Sequence, residues 1–217
     1  MNISENLDKI RNTIPNEVSL VAVSKTKPVD IIMQAYESGH KMFGENKIQD
    51  MVAKQQVMPE DIEWHMIGHL QRNKVKYIAP FVSLIHSVDS IKLLREINNR
   101  AEQNDRIIFC LLQIKIAEEE SKFGLSEREA LELLESEDIG SFKNIRIIGL
   151  MGMATFTDDQ VQLKREFGSL DRFYNSIKEK YQFTTLSMGM SDDYQLAIEL
   201  GSNMIRVGSA IFGKRGV

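Results

Sequence analysis

The sequence predicts an α/β protein whose eight strand–helix units close into a single (β/α)₈ barrel, the TIM barrel. Short apolar segments alternate eight times with segments of helical period, and strict alternation of this kind implies a parallel sheet. The connections are a few residues long and no composition shift indicates a linker, so residues 1–217 are predicted to form one domain. The competing architecture is an open doubly wound sheet, which usually has a glycine-rich first turn. The first turn here, residues 24–28, contains no glycine.

The elements follow in order along the chain. An extra amphipathic helix precedes the first strand, Pro28 is predicted at the first helical position of the next helix, and Gly39 ends that helix. Later helices are predicted to begin at Asp89 or Ser90, at the Ser126–Glu129 capping box, and at Ser191. The other helices are predicted at 3–12, 28–38, 46–57, 73–78 and about 158–180. The strands are predicted at 18–25, 41–44, 63–68, 83–88, 106–115, 144–150, 184–188 and 203–207.

Composition excludes several classes of protein. The net charge of −4 offers no general attraction to nucleic acid or to anionic lipid. Cys110 is the single cysteine, so neither an internal disulfide nor a cysteine-based metal site can form, and its apolar neighbours indicate a core position. The first residues lack the basic and apolar regions of a signal peptide, and no apolar run approaches the roughly 18 residues of a membrane span. We therefore expect a cytoplasmic protein without membrane partners.

Lys25 is the first candidate for a functional residue. It lies where a strand buried on both faces is predicted to end, at the mouth of the barrel. Desolvation there would lower the pKa of its ammonium group and make it a usable amine nucleophile. The alternative is an ordinary solvated lysine.

Two small-residue turns after the last strands suggest an anion site. Residues 188–192 combine Gly189 with Ser191 at a predicted helix N-terminus, and residues 208–210 supply a second turn with its own hydroxyl. Loops after strands seven and eight form the usual phosphate site of this fold. The alternatives are a plain helix cap and a tight turn. Asp192 and Asp193 would repel a phosphate, so both are expected to point outward.

Arg206 is predicted to end strand eight beside these turns. A buried arginine keeps its proton and can donate to an unprotonated ring nitrogen, although a salt bridge to a barrel carboxylate is an equal alternative. An amine for an imine, a phosphate site and a donor to a pyridine nitrogen are together the parts of a pyridoxal phosphate site.

The histidines do not indicate a metal site. His65 and His69 are four residues apart, but Gly68 and a strand end lie between them. His40 follows Gly39 and is expected to be exposed. His86 is either a site residue or a hydrogen-bonded core residue.

Seven segments, in order along nearly the whole chain, resemble the pyridoxal phosphate homeostasis protein family. They are residues 21–28, 43–46, 64–74, 86–89, 149–151, 186–193 and 206–213, which read VAVSKTKP, FGEN, WHMIGHLQRNK, HSVD, GLM, LSMGMSDD and RVGSAIFG. The resemblance implies the barrel of the alanine racemase N-terminal domain, with pyridoxal 5′-phosphate (PLP) in imine linkage to Lys25. It implies further cofactor contacts from Asn46, Met190, Ser191, Arg206, Gly208 and Ser209, with Ser191, Gly208 and Ser209 on the phosphate, Arg206 facing the ring nitrogen, and Asn46 near the ring's other polar edge. One departure is Ile114-Lys115, where the family usually has Val-Asn.

Two functions would use this cofactor, and a third would use the phosphate site alone. We predict a protein that carries or buffers PLP without turnover of its own, with PLP-requiring apo-enzymes as its recipients. The alternative is a PLP-dependent amino-acid racemase or related carbanion enzyme, and racemisation needs a second base opposite the lysine. In barrel racemases this base comes from a further β-domain, and the racemase dimer uses that domain too, so a monomer is expected here. A phosphosugar barrel is the third class, and it would need the phosphate site without Lys25.

Overall fold

The barrel is closed by eight parallel strands that are hydrogen-bonded in sequence order, with β1 pairing to both β2 and β8. The computed structural model describes residues 2–118 and 123–213. The strands are β1 Ser19–Val23, β2 Met42–Glu45, β3 Glu63–Met66, β4 Leu84–Val88, β5 Ile108–Ile114, β6 Ile145–Gly152, β7 Thr185–Ser187 and β8 Met204–Val207. The predicted (β/α)₈ barrel is confirmed. β1 ends two residues earlier than predicted, so Lys25 lies in a turn beyond the strand.

The helices lie between the strands and around them, and α1 is the extra N-terminal helix that the sequence predicts. They are α1 Ile3–Arg11, α2 Val29–Glu37, α3 Ile48–Gln55, α4 Val75–Ile78 after the 3₁₀ turn Arg72–Lys74, α5 Ile91–Glu102, α6 Glu127–Leu134, α7 Glu137–Ser141, α8 Gln160–Tyr181, α9 Tyr194–Glu199 and α10 Ser209–Phe212. Ser90 caps α5, and the capping box of Ser126 and Glu129 is present. Pro28 is the N-cap of α2 rather than its first residue. The short helices α7 and α10 were not predicted.

Side chains on the strands divide into two layers. Val21, Leu84, Leu111, Met151 and Met204 come from five different strands yet form one buried cluster, so they fill the interior of the barrel. The larger cluster, which includes Ala22 of β1, packs between the sheet and the helices. Successive strand residues therefore alternate between the two layers. Continued past β1, this alternation turns Ser24 toward the helices and Lys25 toward the mouth of the barrel.

Two residues outside the site bear on the expectations from sequence. Cys110 is fully buried, as its apolar neighbours predicted. His40 is also buried, and the expectation of an exposed residue is wrong. It packs edge-on against Phe43 and contacts Arg11 Nη2 (3.2 Å) and the Met42 carbonyl oxygen (2.8 Å), because α1 folds over the turn that holds it. Within the described ranges, none of the helices is both long and apolar enough to cross a membrane.

Candidate functional site

A cavity of about 870 Å³ opens at the C-terminal end of the barrel strands. Active sites of this fold lie at that end because the loops that follow the strands converge there. The structure brings all of the candidate residues from the sequence to the wall of this one cavity. They are Lys25, Asn46, Met190, Ser191, Arg206, Gly208 and Ser209.

Lys25 reaches the cavity from a tight turn that follows β1. The Lys27 N–H donates to the Ser24 carbonyl oxygen (3.0 Å), which closes the turn around Lys25 and Thr26. The pairing of Val21 with Arg206 places this turn beside the end of β8. Lys25 is half-buried, as expected of a residue at the mouth of the barrel.

The two turns after β7 and β8 meet at Ser191. Its Oγ accepts hydrogen bonds from the Gly208 N–H (3.1 Å) and the Ala210 N–H (3.4 Å). The prediction that Ser191 caps its own helix is therefore wrong, and the N-cap of α9 is Asp193. The serine hydroxyl and the backbone N–H groups after β8 form a compact set of hydrogen-bonding groups on one wall of the cavity.

Gly189 makes the first of these turns possible. Its φ of +94° lies in a region that L-residues rarely adopt, and a Cβ there would lie 2.6 Å from the Ala197 Cβ and 2.9 Å from the Tyr194 Cα. The close approach of the backbone to α9 therefore requires glycine.

The two aspartates after Ser191 behave differently from one another. Asp192 is exposed, as expected. Asp193 turns inward, and its Oδ1 accepts a hydrogen bond from the Met190 N–H (2.5 Å), so the expectation that it points outward is wrong. Burial raises the pKa of Asp193, while the Met190 N–H and the charge of Arg206 act in the opposite direction. The physical reason is that the half-buried Met190 amide needs an acceptor, which Asp193 supplies.

Arg206 lies in the wall of the cavity with only 3% of its surface exposed. Nη1 donates to the carbonyl oxygen (2.9 Å) and Oγ (2.6 Å) of Ser187, and Nη2 donates to the Gly152 carbonyl oxygen (2.9 Å). These acceptors are neutral, so among the described residues the guanidinium is held by hydrogen bonds rather than by the salt bridge considered from sequence. Burial lowers the pKa of Arg206 to about 10, with Asp193 opposing, and the group therefore stays charged at neutral pH. Five N–H donors serve three described acceptors, which leaves donors for a ligand.

A chain of buried polar side chains continues from Arg206 across the barrel. Ser187 Oγ lies 3.2 Å from His86 Nδ1, and His86 Nε2 lies 3.1 Å from His65 Nδ1. Burial lowers the pKa of His65 to about 4 and that of His86 well below its usual value, so both rings are neutral. His86 is thus a hydrogen-bonded core residue one step behind the cavity. Sequence reasoning did not connect His65 and Ser187 to Arg206, although strand alternation places all of them inside the barrel.

The remaining histidine, His69, lies at the rim of the cavity. Its ring stacks on Phe123 with 4.1 Å between centroids, and its Nδ1 is 3.6 Å from Asp89 Oδ2. Its contacts are thus with Phe123 and Asp89, whereas the ring of His65 belongs to the buried chain.

Comparison with known proteins gives one family. The model of the alanine racemase N-terminal domain matches residues 1–216. A pyridoxal phosphate homeostasis protein of Vibrio alginolyticus is 38% identical over 93% of this chain and 88% of its own length. A protein of the same name from Haemophilus influenzae is 36% identical over 99% of this chain and 97% of its own length.

Solved structures agree with these sequence matches. PipY of Synechococcus elongatus with PLP bound superposes with a TM-score of 0.88 at 32% identity, covering 97% of this chain and all of PipY. Alanine racemase of Clostridium difficile shares the fold with a TM-score of 0.80 at 14% identity, and this chain covers 57% of it.

The buried histidines predict a loss of stability in acid. The unfolded chain titrates its histidines near pH 6.5, whereas His65 in the folded chain titrates near 4, so the unfolded state binds more protons between these values. The free energy of unfolding should fall as the pH falls from about 6.5 to about 4, by up to roughly 3 kcal/mol from His65 alone. Urea unfolding at a series of pH values measures this.

The control separates His65 from other groups. In His65→Asn, which keeps a polar group near Nδ1, the slope of stability against pH should be smaller, with His40 and His86 still contributing. Equal slopes in wild type and His65→Asn would refute the assignment.

Proposed function

The chain belongs to the pyridoxal phosphate homeostasis protein family, built on the alanine racemase N-terminal barrel, and we propose that it binds PLP in the cavity and carries or buffers it. The observation that carries this proposal is the convergence of the seven candidate residues on one cavity wall. Residues separated by as many as 184 positions meet there, which chance placement of a lysine or of a small-residue turn would not produce.

The groups present fit PLP. The cavity volume of about 870 Å³ lies within the range of small-molecule sites, about 300–1,000 Å³. Its wall carries an amine, a buried cation with donors to spare, and a set of hydroxyl and backbone N–H groups. An aldehyde, a pyridine nitrogen and a phosphate are the three groups that such a wall would bind.

PLP supplies an aldehyde with which a lysine amine forms a reversible imine, and in the proposal that lysine is Lys25. Ser191, Gly208 and Ser209 would hold the phosphate through their hydroxyl and N–H groups, the Gly208 N–H exchanging its present acceptor, Ser191 Oγ, for a phosphate oxygen. Met190 lies beside Ser191 in the turn after β7, and Asp193 keeps that turn in place through the Met190 N–H. Arg206 donates to the ring nitrogen and retains its proton, because its pKa of about 10 is far above that of a pyridinium. Asn46 binds at the opposite polar edge of the ring.

The carrier role is favoured over racemisation by where the tyrosines lie. A racemase needs a second base facing Lys25 across the substrate, and a tyrosine hydroxyl is one of the side-chain groups that can act as such a base. The five tyrosines all lie on outer helices. Four hydroxyl groups contact Asp61, Phe183, Glu135 and Thr13, and the fifth ring lies beside Lys74 and Lys76. The names of the relatives point the same way.

We further propose that the chain acts in the cytoplasm as a single-domain monomer and that PLP-requiring apo-enzymes receive its cofactor. Phe123 and Phe156, 56% and 83% exposed at the rim of the cavity, offer an apolar surface for such contacts. Light scattering on the full chain should then give a mass near 24.8 kDa with PLP present or absent. A mass twice as large would exclude the monomer.

The binding site is tested by absorbance of purified wild type and Lys25→Ala after addition of PLP. Wild type should show an imine band that borohydride abolishes, and peptide mapping should place the reduced group on Lys25. Lys25→Ala should lose the band, because the other lysine that lines the cavity among the described residues, Lys27, donates from Nζ to the Gly213 carbonyl oxygen (3.1 Å). Lys115→Ala, which removes an exposed lysine at the end of β5, is the matched control and should retain it. A wild-type protein that takes up no PLP would overturn the proposal and favour a phosphosugar ligand.

Carrier and racemase are separated by hydrogen exchange at the α-carbon of amino acids in D₂O. The PLP-loaded protein should give no exchange beyond that of free PLP at the same concentration, as followed by NMR of alanine and of a mixture of other amino acids. Exchange or racemisation that Lys25→Ala abolishes would establish the racemase alternative instead.

A further inference from the structure

The turn that carries Lys25 is strained. Its four residues run from Ser24 to Lys27, with the hydrogen bond from the Lys27 N–H to the Ser24 carbonyl oxygen. Thr26 has a φ of +66°, while Lys25 does not have a positive φ, which is the sign pattern of a type II turn. The third position of such turns usually requires glycine or asparagine. A β-branched residue with positive φ is an outlier that its surroundings must enforce.

A buried ion pair holds this turn from behind. Lys54 of α3 donates from Nζ to the Ser24 carbonyl oxygen (2.9 Å) and to Glu45 Oε1 (2.5 Å). Ser24 Oγ also donates to Glu45 Oε1 (2.6 Å). Ser24 and Glu45 are fully buried and Lys54 is 7% exposed. The carbonyl that Lys54 binds belongs to the peptide group whose nitrogen is that of Lys25.

Burying the charged groups of Glu45 and Lys54 costs free energy, so the pair is expected to have a role other than stabilising the fold. Glu45 Oε2 is buried and has no hydrogen-bond partner in the described part of the chain. Burial raises the pKa of Glu45, although Lys54 and Ser24 oppose the shift. Replacing a buried ion pair by well-packed apolar residues is often neutral or stabilising, so such a pair is weak evidence for a stabilising role. The neighbouring positions of the same layer, such as Ala22 and Phe43, are apolar.

Strand alternation explains how the pair acts on Lys25. Ser24 faces the helix layer, where Glu45 and Lys54 lie, and Lys25 faces the cavity. The ion pair therefore fixes one side of a peptide group while the lysine side chain projects from the other side. Two donors, the Lys27 N–H and Lys54 Nζ, saturate the Ser24 carbonyl oxygen and oppose relaxation of Thr26 to a negative φ.

We propose that Ser24, Glu45 and Lys54 are positioning residues that hold the strained turn so that the Lys25 amine is aimed into the cavity. The inference rests on the proposed function, in which Lys25 forms the imine with PLP. Without the Lys54 donor the turn relaxes at Thr26, and Lys25 must be reordered each time that it captures the cofactor.

The decisive experiment is rescue by glycine. Lys54→Met keeps the apolar stem and removes the donor, and we expect PLP binding at least about tenfold weaker, the effect of losing a hydrogen bond from a charged donor. In Lys54→Met/Thr26→Gly the third turn position accepts a positive φ without strain, so binding should return to within about threefold of wild type. Readouts are the dissociation constant by absorbance titration, the fraction of Lys25 trapped by borohydride at fixed PLP, and urea unfolding.

Controls keep the outcomes distinct. Lys41→Met removes the exposed partner of Asp61 and should bind PLP as wild type does. If Lys54→Met does not fold, Ser24→Ala, which removes only the hydroxyl donor, should weaken binding by a smaller factor that Thr26→Gly again restores. Unchanged binding in these variants, or weakened binding that glycine does not restore, would overturn the inference. Failure of wild type to trap PLP on Lys25 would instead overturn the proposed function.

Discussion

The pairing of β1 with β8 is the interaction on which the site depends. Four residue pairs join these strands in parallel, from Ser19 with Met204 to Ala22 with Val207. This pairing closes the barrel and sets the turn after β1 beside the turn after β8. Lys25, from the first βα unit, thereby comes to share a cavity wall with Arg206 and Gly208, from the last. An open sheet of the same strands would leave these groups at opposite edges.

The interior of the barrel holds two kinds of side chain. An apolar cluster includes Val21, Leu84 and Met204. A polar chain runs from Arg206 through Ser187 to His86 and His65, and Arg206 also lines the cavity. Burying an arginine is tolerable here because its acceptors are fixed carbonyl and hydroxyl groups and because the histidines beyond them are neutral. The apolar cluster therefore fills the interior, and the fixed polar acceptors set the orientation of the guanidinium.

The sequence was sufficient to predict the features that follow from local, periodic patterns of apolar residues. Eight apolar strands alternating with helices predicted the barrel, and strand ends predicted the cavity residues. The sequence did not predict contacts in which a side chain has a partner other than the one that the pattern of its own element indicates. Ser191 has the pattern of a cap for its own helix but bonds to amides after β8, and Asp193 turns back to Met190. His40 is buried because α1, which ends 29 residues before it in the sequence, covers it and places Arg11 against its ring. Short helices such as α7 and α10 have too few residues to show a period.

Polar groups are buried on both sides of the chain where β1 ends, Glu45 and Lys54 toward the helices and Arg206 toward the interior. In the part of the chain that the structure describes, the buried acidic and basic side chains apart from histidine are Glu45, Lys54, Arg206 and Glu166, and the first three lie around this point. A barrel selected for stability alone would place apolar side chains at these positions, because unpaired or partly paired buried polar groups destabilise the fold. Departures from that rule are expected where a site must hold particular atoms in particular places. Their concentration around Lys25 is a physical reason, independent of sequence similarity, to locate the function of the protein at this rim of the barrel.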